Sequence, residues 1–94
     1  SLPKPDLLVY LYLNIDNLLK NIHHRGRDYE LEIKKDYLEK IQSSYLDFIR
    51  QQSQMRIVII DTNKLDFVNR EEDYRTILEI MSHDYDTGVH RVTP

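Results

Sequence analysis

The chain has 94 residues, enough for one small domain whose folding buries only a modest share of its surface. A net charge of -3 gives no overall attraction to nucleic acid or to an anionic membrane, so any phosphate binding must come from a local cluster. The absence of cysteine excludes disulfide staples and thiolate chemistry and agrees with a reducing, cytoplasmic setting, and no segment approaches the length of a membrane span.

Ser1-Leu2-Pro3-Lys4-Pro5 reads as the middle of a connection or as an ordinary leader. Leu7 to Leu13 is a nearly continuous apolar run bounded by Pro5-Asp6 and Asn14, the pattern of a central strand covered on both faces. A helix is predicted to start near Asn14 or Asp16, to carry Leu18, Leu19 and Ile22 on one face, and to end at Gly26.

Arg25-Gly26-Arg27-Asp28-Tyr29-Glu30 then forms a charged hinge. Gly26 lets the backbone turn two guanidinium forks toward one anion, and arginine binds phosphate through planar, bidentate donors. The same arginines can instead solvate a helix C-terminus, where cations are favoured in any case. Glu30 is suited to accept from sugar hydroxyls or to orient an arginine, or it is a plain surface carboxylate. Lys20 adds positive charge to the preceding helix or snorkels from it.

Asp36 and Glu39 have the spacing of a capping box for a second helix, with Leu38, Ile41, Tyr45, Phe48 and Ile49 on its apolar face. Met55 to Ile60 reads as a second buried strand, stopped by Asp61-Thr62-Asn63. Asp61-Thr62-Asn63-Lys64-Leu65-Asp66-Phe67 would lie at the carboxyl end of that strand, where open α/β sheets bind ligands. There Asp66 suits a ligand amine and Phe67 can cover a base; alternatively the segment is a polar turn with Phe67 and Val68 closing the core. A third helix is predicted from an Asn69/Glu72 box, burying Tyr74, Ile77, Leu78 and Met81.

Residues 82–94 show no periodicity and read as a surface tail or an exchangeable arm. Adjacent His23 and His24 fall on different helix faces, and His83, Asp84, Asp86 and His90 match no ligand spacing, so no metal site is expected. With only two strands the sheet is unfinished, because an isolated strand pair is a poor solitary fold; parallel pairing inside an α/β layer structure is expected, completed by further sheet. Its open edges make a homodimer or a chain-exchanged oligomer plausible on this reading.

The order and spacing of Pro5-Asp6-Leu7-Leu8-Val9-Tyr10-Leu11, Leu18-Leu19-Lys20-Asn21-Ile22, Arg25-Gly26-Arg27-Asp28-Tyr29-Glu30, Tyr37-Leu38-Glu39-Lys40-Ile41, Tyr45 and Asp61-Thr62-Asn63-Lys64-Leu65-Asp66-Phe67 resemble the C-terminal part of the deoxynucleoside kinases. The resemblance runs over about residues 5 to 81 and implies a three-layer, P-loop kinase-like α/β fold with a parallel sheet. On it, residues 1–81 are the C-terminal part of a kinase domain, with a lid at about 23–36. Arg25 and Arg27 take the role of lid arginines that contact donor and transferred phosphates, and Glu30 that of the lid glutamate reaching the deoxyribose hydroxyl. Asp66 and Phe67 match the loop lining the donor adenine, and Lys20, in the helix before the lid, is the third residue assigned to the cofactor. Where the family often carries another arginine in the helix before the lid, this chain has Lys20-Asn21, and lysine cannot reproduce the arginine fork.

The implied reaction transfers the γ-phosphoryl group of ATP, with Mg²⁺, to the 5′-hydroxyl of a deoxynucleoside. The only glycines are Gly26 and Gly88, so no glycine-rich phosphate loop exists in these residues. The chain by itself is therefore expected to bind neither ATP nor Mg²⁺ strongly and to be inactive. The competing reading is a small, non-enzymatic α/β module that binds partners through its apolar helices.

Overall fold

A computed structural model of the chain describes residues 6–25 and 34–94, and of residues 23–25 the backbone alone. The order of elements is β1 (Leu7–Tyr12), α1 (Ile15–Arg25), α2 (Lys35–Arg50), β2 (Arg56–Asp61), α3 (Glu71–Ser82) and β3 (Gly88–Val92). The three strands form one parallel sheet in the order β1-β2-β3. β2 is therefore the central strand, and Ile57, Val58, Ile59 and Ile60 are all buried.

Alternation along β2 divides the core in two. Ile57 and Ile59 face α2 and pack with Ile49, Leu46, Leu8, Tyr10 and Val89. Val58 and Ile60 face α3 and pack with Ile77, Ile80, Val9, Phe67 and Val92. A helix on each side of a parallel sheet is the three-layer α/β arrangement expected from the sequence.

Several details differ from the sequence reading. Residues 88–92 are not part of a surface tail: they are β3, which hydrogen-bonds along the full register from Arg56↔Gly88 to Ile60↔Val92. Gly88 enters the strand at φ 121°, a conformation reserved for glycine, and its N–H donates to the Met55 carbonyl at 2.8 Å. With His90 and Arg91 inside only five residues, the strand has too little apolar content to stand out by periodicity. β1 is not central among the described strands. It pairs only with β2, its side chains are half-buried, and Leu11 is exposed.

The helix starts also shift. Of the two expected starts of α1, Asn14 and Asp16, Asn14 is the cap, its side-chain oxygen accepting the Asn17 N–H at 2.8 Å. Neither proposed capping box forms: the residues before α2 and α3 are Lys34 and Arg70, without side-chain caps. Asp36 and Glu72 lie instead in the first turns, where a carboxylate favours the helix dipole. The buried stripes rotate accordingly. α2 turns Leu38, Leu46 and Ile49 inward while Tyr37, Ile41, Tyr45 and Phe48 remain exposed. α3 buries Ile77 and Ile80, leaving Tyr74, Leu78 and Met81 exposed.

Candidate functional site

The carboxyl ends of β1 and β2 are joined by a polar clasp. Thr62, which is buried, donates both its backbone N–H (2.8 Å) and its Oγ1 hydroxyl (2.9 Å) to the Tyr12 carbonyl. Beside it the Asn63 side-chain oxygen accepts the Asn14 N–H at 2.9 Å and Asn17 Nδ2 at 3.1 Å, so the start of α1 is tied to the end of β2. Asn63 also donates twice to Asp61 Oδ1, from its backbone N–H (2.9 Å) and its Nδ2 (2.8 Å). From the sequence, Asp61-Thr62-Asn63 ends a strand and opens the segment running to Phe67, with no bonding role for Thr62 or Asn63. The signal available was its small, polar composition at a strand terminus, the type that bonds nearby backbone.

Against this clasp a cavity of about 320 Å³ is lined by Leu11, Leu13, Leu18, Asn21, Thr62, Leu65, Asp66, Phe67, Val68 and Asn69. The structure thus brings Asp66 and Phe67 together with α1. The α1 residues at the cavity are Leu18 and Asn21; Lys20 is exposed and not part of the lining. Phe67 is half-buried and packs on the Val58, Ile60, Ile77 and Ile80 cluster, whereas Val68 is 64% exposed and does not close the core.

Asp66 organises the turn into α3. Its carboxylate accepts the Asn69 N–H at 3.2 Å and Asn69 Nδ2 at 3.2 and 3.1 Å, its carbonyl accepts the Arg70 N–H at 2.8 Å, and its N–H donates to Asp73 Oδ2 at 2.8 Å. The Arg70 guanidinium pairs with Glu72 and lies 3.8 Å from Asp73, and these neighbours raise its pKa, the Glu72 hydrogen bond foremost. The carboxylate of Asp66 is therefore held at the cavity in a fixed direction. With these three contacts accepted, about one acceptor position is left, since a carboxylate accepts about four hydrogen bonds.

Arg25 is the last residue of α1, and Lys35 opens α2. The side chain of Arg25, with all of Arg27 and Glu30, lies outside the described residues. Two contacts tie α2 to α1 and its approach: between the first turns, Lys35 Nζ is 3.3 Å from Asp16 Oδ1, and from the middle of α2, Gln42 Nε2 donates to the carbonyl of Leu13, just before α1, at 2.8 Å. The ion pair is exposed and worth little, so the Gln42 bond and apolar contact carry this junction.

Among the described residues no group of three or more His, Cys, Asp or Glu side chains is assembled for a metal ion. His90 Nε2 instead contacts the Asp86 carbonyl at 2.8 Å, and its ring lies 5.2 Å from that of Tyr85. No helix among the described residues is long and apolar enough to cross a membrane.

A parallel sheet with helices on both faces and a cavity at the carboxyl ends of its strands is the architecture of a nucleotide- or ligand-binding α/β protein. The family model for deoxynucleoside kinases matches residues 1–84, and the chain belongs to that family. It is 32% identical over 81 residues to a deoxyguanosine kinase of Bacillus subtilis (strain 168), the match covering 82% of this chain and 39% of that protein. A deoxyguanosine kinase of Lactobacillus johnsonii is 35% identical over 78 residues, covering 79% of this chain and 35% of that protein. A deoxyadenosine/deoxycytidine kinase of Bacillus subtilis is 29% identical over 77 residues, covering 82% and 36% respectively. The chain thus spans well under half the length of these relatives. No solved structure is a significant match.

Proposed function

We propose that this chain is the lid-bearing, C-terminal portion of a deoxynucleoside kinase that phosphorylates the 5′-hydroxyl of a deoxynucleoside. The observation that carries the reading is the coincidence of the family match over residues 1–84 with a cavity holding Asp66 and Phe67 at the carboxyl ends of the strands. The mixture of apolar walls with Asn21, Asp66 and Asn69 suits a purine, which needs a flat apolar enclosure and a few directional polar partners. Bound ATP would supply the phosphoryl group.

Phe67 then covers the adenine, and the fixed carboxylate of Asp66 accepts from its amine. Arg25 and Arg27 neutralise charge on the phosphates, which matters most as charge shifts in the transition state. Glu30 accepts from a deoxyribose hydroxyl, and closure of residues 23–36 excludes water. Lys20 is a remote, supporting charge on this reading. Among the described residues no group of three or more carboxylates, His or Cys is assembled that could hold Mg²⁺. A cytoplasmic setting, where ATP and deoxynucleosides meet, fits this activity.

The exposed stripe Tyr37, Ile41, Tyr45 and Phe48 of α2 borders a surface cavity of about 530 Å³, which favours a homodimer through α2. In the kinase containing this chain, Arg27→Ala is expected to lower kcat about a hundredfold with a smaller change in KM for the deoxynucleoside. Unchanged kcat in that variant and in Arg25→Ala would sink the lid assignment. The 94-residue chain alone, lacking a phosphate loop, is expected to show no ATP-dependent phosphorylation.

A further inference from the structure

A second cavity, of about 310 Å³, lies at the carboxyl ends of the strands on the α2 face, across the sheet from Phe67. Strand register builds its floor: Tyr12 stands opposite Asp61, and Ile59 stands opposite Arg91. Leu46 and Arg50 of α2 form a wall, and Thr93 follows at the rim. Two guanidiniums and one carboxylate line the space, a local charge of about +1 in a chain of net charge -3.

The cation supply is better than this count suggests. Asp61 Oδ1 is already engaged by two donors from Asn63. Among the described residues Arg91 forms no ion pair, while Arg50 holds only an exposed contact with Asp47 at 3.3 Å. Arg91 and Thr93 lie beyond residues 1–84, so the family match does not account for that part of the lining.

We propose that this cavity binds a small phosphate monoester bearing hydroxyl groups. Arg50 and Arg91 hold the phosphate through charge-assisted bonds. Asp61 Oδ2 accepts from a hydroxyl, and Leu46 and Ile59 contact the carbon skeleton. The volume is at the small end of ligand pockets and matches a sugar phosphate rather than a nucleoside triphosphate.

The test is an NMR titration of the 94-residue chain with ribose 5-phosphate, with inorganic phosphate and neutral ribose as parallel probes. Ribose 5-phosphate is expected to shift the Arg50 and Arg91 side-chain N–H signals and the Thr93 amide, inorganic phosphate to do so more weakly, and ribose not at all. Arg91→Ala and Arg50→Ala should each weaken binding about tenfold, the loss expected for one charge-assisted contact. Arg75→Ala, an equal change of charge on exposed α3, should leave it unaltered. Arg50 lies outside β3, so its variant reads the contact even if Arg91→Ala loosens that strand. No shift at these groups with millimolar ribose 5-phosphate, or equal weakening by Arg75→Ala, overturns the proposal. So does undiminished binding by Arg50→Ala.

Discussion

Thr62 donates twice to the carbonyl of Tyr12, once from its backbone and once from its hydroxyl, and this places the start of the Asp66 loop directly beside the end of β1. Thr62→Val keeps the shape and the backbone bond but loses the hydroxyl bond. It is expected to cost about 1 kcal/mol in urea unfolding, with Thr62→Ser closer to the parent chain. Equal stability of Thr62→Val would remove the hydroxyl from the clasp.

Ile77 and Leu78 are neighbours in sequence with opposite fates, since Ile77 is 5% exposed and Leu78 44%. Ile77→Ala should destabilise by about 2–5 kcal/mol, because it opens a cavity against Val58 and Ile60. Leu78→Ala should cost under about 1 kcal/mol when measured by the same denaturation.

Gly88 offers a backbone test. A Cβ at this position meets no atom within 4 Å, so Gly88→Ala introduces conformational strain without a clash. The expected cost is about 1–3 kcal/mol, concentrated in β3. Amide exchange should quicken at residues 88–92 before it does so in β2.

Tyr10 gives a pH signature. Burial raises its phenol pKa above the ordinary 10.0, opposed by the Gln42 hydrogen bond and reinforced by Tyr12 and Tyr45. The folded chain therefore holds this proton more tightly than the unfolded chain. Its contribution is fully present below about pH 10 and is lost as pH rises through the folded value. Stability measured between neutral and strongly alkaline pH should fall above that point, and less steeply in Tyr10→Phe.

Local chemistry was legible where strong patterns stand alone. The apolar runs marked β1 and β2 to within a residue, Asn14 announced the α1 cap, and the parallel layers followed from two strands separated by helices. The capping boxes misled because Ser, Thr, Asn and Asp also serve turns: Asn69 is taken by Asp66, and α3 begins after Arg70. The motif placed Asp66 and Phe67 after β2, and in the structure both line one cavity. The clasp through Asn63 to Asn14, 49 residues away, has no local signature. The Arg25 side chain and all of Arg27 and Glu30 lie outside the described residues.

By itself the sequence determined the family, the two apolar strands and the amphipathic character of the helices, all properties of short-range pattern and spacing. Only the tertiary structure decided that β2 is central, that Gly88–Val92 pairs with it, and that the inward stripes are Ile49 with Leu46 and Ile77 with Ile80. The physical reason is that the apolar face of both α2 and α3 is wider than the strip that meets the sheet, so some of its residues stay exposed. Contact with β2 selects which of those residues loses water, and a short polar strand such as β3 is stabilised by backbone pairing that residue type does not encode.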